Sequence, residues 1–573
     1  MSNKNSNHSC RGKKVSLTSY TRNAYDDFKI NKRNYLLKYV LPAFLLSLFF
    51  TFSMASLFPA LLRNWAFALV LFLFPLYILL ALLLYPLARY QSRKMSIDRE
   101  MLLFMIRMSV LSEAQMPKKE MFEILNEMKE FGELGVEINK IYKLVENWNI
   151  NLGDACRIVA KKTPSKLFAD FLDRLAHAID TGDDPRAFFK REQRAFKNNY
   201  EVEYKGMLFK LEILMELFIA IVIIATFFEF FVIILPFLHY SNEVVYFVGV
   251  PFLFIFMEVV YLFFLQSTMP KEKLRQSTAI VSKEEKTTIL LSVFSVAASV
   301  IILILLFYFV GSWLYDDTLM PLFVAVVFTP LVVPGVFSSL YDKKILRTED
   351  SFPAFIRSLG GSAASGATGL QIALEKLEHH DFGPLTFHIK SLYKRIKLNI
   401  DTEKSWEYFG AETGSDLISK FSKMYMLGVK AGGDQEKISE IVSDNFLDII
   451  GLRKHRYIYA SIFTMVIYGI ALVVSFSLFI SGDVTKEVAE DYQGFEIPGA
   501  IREAGIQKPD VYDAYIITLA FLIIILAHAL VSGLIVRVVG SGSFSASFVH
   551  VSGILWVGAL MSIFSEFLIS KIL

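Results

Sequence analysis

The chain contains little charge and almost no cysteine for its length. Only 20% of its 573 residues are charged, whereas 54% are hydrophobic and 52 are phenylalanine; globular domains usually carry about 25% charged residues. The two cysteines, Cys10 and Cys156, lie far apart in polar stretches, which excludes a disulfide framework and a thiolate metal site. A net charge of +3 gives no reason to expect a nucleic-acid partner. Together these features exclude a secreted disulfide scaffold, a disordered chain and an ordinary cytosolic enzyme.

The sequence also lacks the motifs of common catalytic sites. It has no P-loop, because the glycine-rich run 360–369 contains no lysine to reach phosphates, and its small residues favour close helix packing or a tight turn between helices instead. Neither H-E-x-x-H nor C-x-x-C occurs. The pair His379 and His380 would point about 100° apart on a helix, which is poorly suited to sharing a metal. We therefore predict a protein that is not an enzyme, with no catalytic, metal-binding or cofactor-binding residues.

Long apolar runs are abundant. About 20 apolar residues are needed to cross a bilayer as a helix, and nine segments meet this requirement. They are Lys38–Phe58, Trp65–Ala88, Leu217–Leu238, Val244–Leu265, Ile289–Val310, Leu319–Leu340, Ile458–Ile480, Ala514–Val536 and Phe548–Ile569.

Lysine and arginine in the short loops predict the orientation, because cytoplasmic loops carry an excess of these residues. Eight basic residues precede the first span and five lie in the loop 266–288. The loop 481–513 instead has eight acidic and three basic residues. We expect the N-terminus in the cytoplasm and the C-terminus outside the cell membrane, since the number of spans is odd. The two long polar stretches, 89–216 and 341–457, then both face the cytoplasm.

These two stretches match each other at a constant offset along the chain. Leu102, Met105, Ile106 and Arg107 correspond to Phe352, Phe355, Ile356 and Arg357, and the stripe Leu167, Phe171 and Leu175 corresponds to Leu417, Phe421 and Tyr425. The spacing is helical in both copies. Gly182 and Asp184 match Gly432 and Asp434, where glycine ends one helix and aspartate caps the next. We expect two copies of one helical domain, with Arg107 and Arg357 in equivalent places.

The predicted fold class is all-α: a polytopic membrane protein with about nine transmembrane helices and two duplicated helical-bundle cytoplasmic domains. The predicted segments are a cytoplasmic tail 1–35, a transmembrane hairpin 36–88, the first cytoplasmic domain 89–216, a second hairpin 217–265, a cytoplasmic loop 266–288, a third hairpin 289–340, the second cytoplasmic domain 341–457, a seventh span 458–480, an extracellular loop 481–513, and the last two spans within 514–573.

Short motifs in the second domain resemble those of the type II secretion system protein F family, the inner-membrane platforms of type IV filament systems. They are Ser365-Gly366-Ala367 followed by the apolar helix 370–377, and Lys430-Ala431-Gly432-Gly433-Asp434 followed by an amphipathic helix. The first domain keeps Gly182-Asp183 but has Met116-Pro117 where the family usually has Ser-Gly. The duplication and nine spans resemble the archaeal branch, which serves archaella and adhesion pili.

The resemblance implies a non-enzymatic platform that couples a cytoplasmic secretion ATPase to the extraction of pilin or archaellin subunits, as a homodimer or higher oligomer. The cytoplasmic domains would then dock the ATPase. The candidate docking residues lie at or beside the shared turns: Gly182, Asp183, Arg186, Lys190, Arg191, Arg194, Lys430, Gly432, Gly433 and Asp434. Helix capping and a solvated surface are the more ordinary explanations of such residues, and the docking interpretation stays open beside them.

Ionisable residues inside predicted spans are costly, and they indicate either buried hydrogen-bonded groups or function. Glu229 and Glu258 are candidates for an intramembrane pilin contact, although counting along their helices puts them about 8 Å apart in depth. Arg453, Lys454 and Arg456 are expected to anchor the seventh span at the lipid headgroups. A secondary transporter with duplicated halves is the alternative function; it is disfavoured because the duplication lies in the polar domains. An intramembrane hydrolase lacks any paired catalytic residues.

Overall fold

The computed structural model describes residues 32–57, 65–114, 116–126, 131–238, 243–270, 272–276, 282–310, 319–364, 370–493 and 514–572. Within these ranges the regular elements are helices, and the β-pairing is limited to an isolated antiparallel bridge between Arg275 and Ser415. The predicted all-α class is therefore confirmed. The chain divides into two compact units, Met1–Phe196 and Lys197–Leu573, each of which is described by itself.

The first unit begins with α1 (Lys32–Tyr35), which continues through a π-helical stretch, Leu36–Val40, into α2 (Leu41–Leu57). The elements that follow are α3 (Trp65–Ser112), α4 (Lys118–Asn126), α5 (Gly132–Trp148), α6 (Leu152–Ala160), α7 (Lys166–Asp180) and the start of α8 (Pro185–Leu238). Helix α3 contains the second predicted span and then continues directly into the first cytoplasmic domain.

The second unit contains the rest of α8. Its other helices are α9 (Glu243–Thr268), α10 (Lys283–Val310), α11 (Met320–Phe328), α12 (Val332–Ala364), α13 (Leu370–Glu378), α14 (Thr386–Lys397), α15 (Thr402–Thr413), α16 (Asp416–Lys430), α17 (Gln435–Gln493), α18 (Ala514–Gly540) and α19 (Ser547–Ile572). Short 3₁₀ turns join α11 to α12, at Thr329–Leu331, and precede α14, at Gly383–Leu385.

Eight helices in the described part of the chain are long and apolar enough to cross a membrane. They match eight of the nine predicted spans. The remaining prediction, 65–88, is helical, but several of its side chains lie outside those that the structure describes. The membrane part of the second unit has an apolar core that includes Phe218, Phe463, Ile467, Ile525 and Ile554. The chain is thus a multi-pass helical membrane protein.

The helix limits of the two cytoplasmic domains repeat the offset found in the sequence. Helix α7 (Lys166–Asp180) corresponds at both ends to α16 (Asp416–Lys430), and the first residues of α6 and α8 correspond to those of α15 and α17. The predicted stripes are buried in both domains: Met105, Phe171 and Phe421 are inaccessible to solvent, as is Phe355. The helix order is therefore the one expected of a duplication, while the domain boundaries themselves stay a prediction.

The two matched arginines lie on corresponding helices, α3 and α12, but differ in their surroundings. Arg107 is buried with its guanidinium 4.6 Å from the ring centroid of Phe131. Arg357 is 56% exposed and pairs with Asp444 on the surface. The reason lies in the covering residue, because the position of Phe131 is occupied in the second domain by the exposed Asp381.

The seventh span belongs to a much longer helix. Helix α17 runs without a break over 59 residues, about 88 Å at 1.5 Å per residue, from the cytoplasmic domain into the predicted external segment. The predicted loop 481–513 therefore begins too early, because the helix continues to Gln493. This last part of α17 includes good helix formers such as Lys486, Glu487 and Ala489, and a hydropathy criterion takes no account of helix propensity. Residues 494–513 lie outside the described part.

Gly360 lets α12 and α17 approach closely. A Cβ atom on Gly360 would overlap the Ser439 side chain and lie 2.8 Å from the Gln435 carbonyl oxygen. Gly361, the next residue on the same helix, has open space around its position. The close packing expected of this glycine-rich run is confirmed at Gly360, and residues 365–369 lie outside the described part.

We expect Gly360→Ala to destabilise the protein by about 1–3 kcal/mol, since overpacking forces backbone shifts. Gly361→Ala is the matched control and should be neutral or stabilising by about 0.5–1 kcal/mol, because alanine is the better helix former. Thermal unfolding of both variants in detergent measures the difference. Equal midpoints would show that the helices can separate here without loss of stability.

Candidate functional site

The two predicted turns have the same backbone conformation. Gly182 and Gly432 have φ angles of 72° and 81°, in the left-handed region that glycine enters without strain. The amide of Asp183 donates to the Ala178 carbonyl at 3.0 Å, and the amide of Gly433 donates to the Gly428 carbonyl at 3.0 Å. Each turn is therefore a Schellman motif that ends one helix just before the long helix that enters the membrane.

Aspartates cap the two long helices at equivalent positions. The Asp184 carboxylate accepts from the amide of Ala187 at 3.2 Å, and the Asp434 carboxylate accepts from the amide of Glu436 at 3.1 Å. Asp183, the candidate named from the motif, instead accepts from the Thr181 hydroxyl at 3.0 Å. Capping therefore accounts for Asp434, and its counterpart in the first domain is Asp184.

The basic candidates lie on the surface near these turns, with weak local partners. Arg186 lies 3.8 Å from Glu113, and Lys430 lies 2.9 Å from Glu403. The carboxylate of Asp183 lies 3.7 Å from Arg191; Lys190 and Arg194 are exposed. Exposed ion pairs contribute about 0–1 kcal/mol. Acidic groups of a partner could thus replace these contacts at little cost. The first turn lies in the first unit and the second turn in the second unit.

A serine at the start of a helix joins the same elements in both domains. Ser165 caps α7 through the amide of Phe168 and donates to Asp98 on α3. Ser415 caps α16 through the amide of Ile418 and donates to Glu349 on α12 at 2.5 Å. Burial raises the pKa of Asp98, and the hydrogen bond from Ser165 partly offsets that effect. No motif in the sequence indicates this repeated contact; its signal is that the two serines are related by the same offset as the rest of the duplication.

The intramembrane carboxylates are enclosed by protein. Glu229 is 2% exposed, and neither of its oxygens has a hydrogen-bond partner among the described residues. Glu258 is 1% exposed and lies 2.5 Å from Nδ1 of His528, whose ring stacks on Phe218 at 6.4 Å. His528 was the partner that the sequence analysis did not assign.

A buried ionic network lies where the second cytoplasmic domain meets the spans. Glu272, in the segment after α9, lies 3.6 Å from Arg453 and 3.3 Å from Arg456. The hydroxyls of Tyr200 and Tyr204 donate to the same carboxylate at 3.3 and 3.4 Å. Two arginines thus share a site with Glu272 and with Glu349, which lies 3.5 Å from Arg453. The network is balanced in charge.

Arg456 also links two spans, α17 and α18. Arg456 donates to the carbonyls of Val539 at 2.7 Å and Val538 at 2.8 Å, both at the end of α18, and to the Pro270 carbonyl at 3.3 Å. It is 2% exposed. The expectation that Arg453 and Arg456 reach the lipid headgroups is therefore wrong. They lie on the face of α17 that also buries Phe463, and this helical spacing was the signal available in the sequence. Of the three expected anchors, Lys454 alone is exposed, at 61%, where it pairs with Asp350.

The segment around Glu272 is bound to the second domain along its length. The Gln276 amide donates to the Gly414 carbonyl at 3.0 Å, and the Asp416 amide donates to the Leu274 carbonyl at 3.1 Å. Arg275 pairs with Asp342 at 2.7 Å.

Cys156, in the first unit, is buried. Burial raises its pKa to about 12 and keeps the thiol protonated.

Comparison with known proteins decides the family. The model of the type II secretion system protein F family matches residues 104–233, which is the first domain and its span, although the motifs described above are fuller in the second. A flagella accessory protein J of Methanocaldococcus jannaschii is 33% identical over 95% of this chain and 96% of its own length. A protein of the same name from Methanococcus voltae is 31% identical over 95% and 97%. This chain belongs to the flagella accessory protein J family.

Members of this family are membrane platforms of type IV filament systems, so the resemblance inferred from the motifs is confirmed. The similarity covers nearly the whole length of both relatives. It therefore includes the spans as well as both cytoplasmic domains, and a platform replaces the transporter alternative. No solved structure matches this chain.

We expect Glu272→Ala to destabilise the protein by about 3 kcal/mol, because it removes a counter-charge from two buried arginines. The matched control is Asp350→Ala, which breaks the exposed pair with Lys454 and should cost at most about 1 kcal/mol. Thermal unfolding of the full-length protein in detergent, at constant pH and salt, compares the two. A smaller effect for Glu272→Ala than for Asp350→Ala would contradict the central role of the network.

Proposed function

We propose that this chain is the membrane platform of an archaellum, and that it couples a cytoplasmic secretion ATPase to the extraction of filament subunits without catalysis of its own. The observation that carries the proposal is the near full-length similarity to two proteins named flagella accessory protein J. Neither docking nor transmission of force requires bond chemistry in this chain, so the energy must come from the partner.

Two helices support the coupling. Helix α8 extends over 54 residues and α17 over 59, and each begins immediately after one of the glycine turns before it continues into a span. A partner bound at either turn would therefore push on a helix that is continuous with the membrane part. In the second unit Glu272 pairs with Arg453 and Arg456 of α17 at the point where the helix leaves the cytoplasmic domain.

We expect charge reversal at the candidate docking residues to weaken ATPase binding. Replacing Arg186, Lys190, Arg191 and Arg194 by glutamate, or Lys430→Glu, should reduce binding, more strongly at low salt, because exposed charges are screened over about 10 Å at 0.1 M. Asp434→Ala is the control that removes a cap, and it should cost about 1 kcal/mol of stability while ATPase binding is retained. Pull-down of the ATPase at two ionic strengths measures this.

If binding is unchanged at both ionic strengths in folded, inserted protein, the basic residues beside the turns do not contact the motor. The basic cytoplasmic loop 266–288 is then a poor substitute. Its described residues Leu274 and Gln276 are buried against the second domain.

The proposed orientation has the N-terminus inside and the acidic segment after α17 outside. We expect Gln493→Cys, in a Cys10→Ser background, to react with a membrane-impermeant thiol reagent in intact cells, because it lies at the end of α17 beyond the span. The native Cys156 is buried and should stay unlabelled. Labelling that appears only after lysis would reverse the whole topology.

Glu229 is the better candidate for an intramembrane contact with a filament subunit, because the Glu258 carboxylate already lies against His528. We expect Glu229→Gln to reduce filament assembly at least tenfold with thermal stability unchanged, if the carboxylate receives a cationic group of the subunit. Normal assembly in Glu229→Gln would assign Glu229 to packing alone. Glu258→Gln is the comparison, and it should lower stability because it weakens the contact with His528.

A further inference from the structure

The second cytoplasmic domain has a basic face that its counterpart lacks. In the first domain, Arg93 of α3 is bound by two glutamates of α5, Glu133 at 2.9 Å and Glu137 at 2.5 Å. At the equivalent positions of the second domain, Lys343 replaces the arginine, while Gly383 and Phe387 replace the glutamates. The duplication thus kept the positive charge and lost both of its counter-charges.

Four basic residues define this face together with Phe387. Lys343 and Arg347 are exposed on α12, and Lys390 and Lys394 are exposed on α14. None of the four forms an ion pair with a carboxylate in the part of the chain that the structure describes. The Phe387 side chain is 72% exposed. We call these five residues the basic face.

The segment that leads into α14 packs against α12. A Cβ atom on Gly383 would lie 3.6 Å from the Ser351 hydroxyl oxygen. Ser351 follows Arg347 by four residues and Lys343 by eight, so it lies on the same side of α12. Glu284, on the neighbouring α10, is already bound by Lys344 at 2.9 Å. Lys390 and Lys394 follow Phe387 at spacings of three and seven residues, which places all three on one side of α14.

The face continues the lipid-facing surface of a span. Val333, Val336 and Leu340 are 59%, 43% and 59% exposed along one stripe of α12, within a segment apolar enough to cross a membrane. Lys343 and Arg347 extend the same stripe at helical spacings of three and four residues. Basic side chains immediately beyond a lipid-facing stripe lie at the level of the headgroups.

We propose that the basic face binds the headgroups of anionic phospholipids and rests the second cytoplasmic domain on the inner surface of the membrane. The lysines and arginine bind phosphate oxygens, and the exposed Phe387 ring enters the interface between headgroups and acyl chains. The continuity with the lipid-facing stripe favours lipid over an acidic protein. In the first domain the corresponding cation, Arg93, is already paired with Glu133 and Glu137. The lipid contact therefore belongs to the second domain only.

The first test uses the full-length protein in detergent micelles with added phosphatidylglycerol or phosphatidylcholine. The face variant is Lys343→Gln with Arg347→Gln, Lys390→Gln and Lys394→Gln. The control removes the same charge from exposed lysines of the first domain that have no proposed role, through Lys143→Gln, Lys161→Gln, Lys162→Gln and Lys166→Gln. One basic residue near an anionic surface strengthens binding about fivefold. The phosphatidylglycerol concentration that gives half of the thermal stabilisation should therefore rise more than tenfold in the face variant and stay unchanged in the control.

Three results would overturn the proposal. An equal rise in both variants would assign the effect to net charge. The same stabilisation by inorganic phosphate would identify a free anion as the ligand. An undiminished preference for phosphatidylglycerol in the face variant, together with loss of ATPase binding, would identify the face as a docking site for an acidic protein.

The second test measures depth and does not depend on the stability of the variants. A nitroxide is attached at Phe387→Cys or at Leu398→Cys in a Cys10→Ser background and reconstituted in phosphatidylglycerol bilayers. Leu398 is 73% exposed and lies on the same side, about 16 Å further along the chain at 1.5 Å per residue. The label at 387 should collide more with oxygen and less with an aqueous nickel complex than the label at 398. Equal aqueous access at both sites would place the face away from the membrane.

Discussion

A charged side chain at the edge of the membrane must be neutralised where it lies, and Glu272 meets this constraint with two arginines. Its carboxylate lies within 3.6 Å of both Arg453 and Arg456. Through these partners it holds α17, the end of α18 and the segment after α9 in one arrangement. Because removing ions from water is expensive, the network is stable only while every member is present. The junction between the second domain and its spans is therefore specified by polar contacts, whereas the spans themselves pack through apolar ones.

The duplicated domains show how one fold can serve two environments. The buried stripes, the glycine turns and the serine caps recur at a constant offset, because they determine whether the bundle forms. Residues on the outside differ: Arg107 is covered by Phe131, whereas Arg357 is in solvent. Arg93 is neutralised by glutamates, whereas the residues at the equivalent positions beside Lys343 carry no charge. The contacts that pack the bundle are thus the same in both copies, whereas the charged residues and their partners differ.

Local patterns predicted most of the fold, because helices in lipid satisfy their own backbone and leave a clear hydropathy signal. The helix ends at Gly182 and Gly432 and the caps that follow could also be predicted, because a turn depends on a few adjacent residues. Contacts between distant residues could not be predicted in this way. Glu272 and Arg456 are 184 residues apart and Glu258 and His528 are 270 apart, and no single segment indicates such pairs.

The distance along the chain between Glu272 and its partners has a consequence for biosynthesis. At about 5–20 residues per second, a ribosome needs roughly 10–40 s after Glu272 to reach Arg456, and Val539 follows 83 residues later. During that interval the carboxylate and the tyrosines around it have no counter-ion from α17, so the early spans are held together only by apolar contacts. A chain that stops before α18 would leave the Arg456 guanidinium permanently without the Val538 and Val539 carbonyls and expose it to the proteases that remove unassembled membrane proteins. The network that fixes the finished platform thus also marks whether synthesis has been completed.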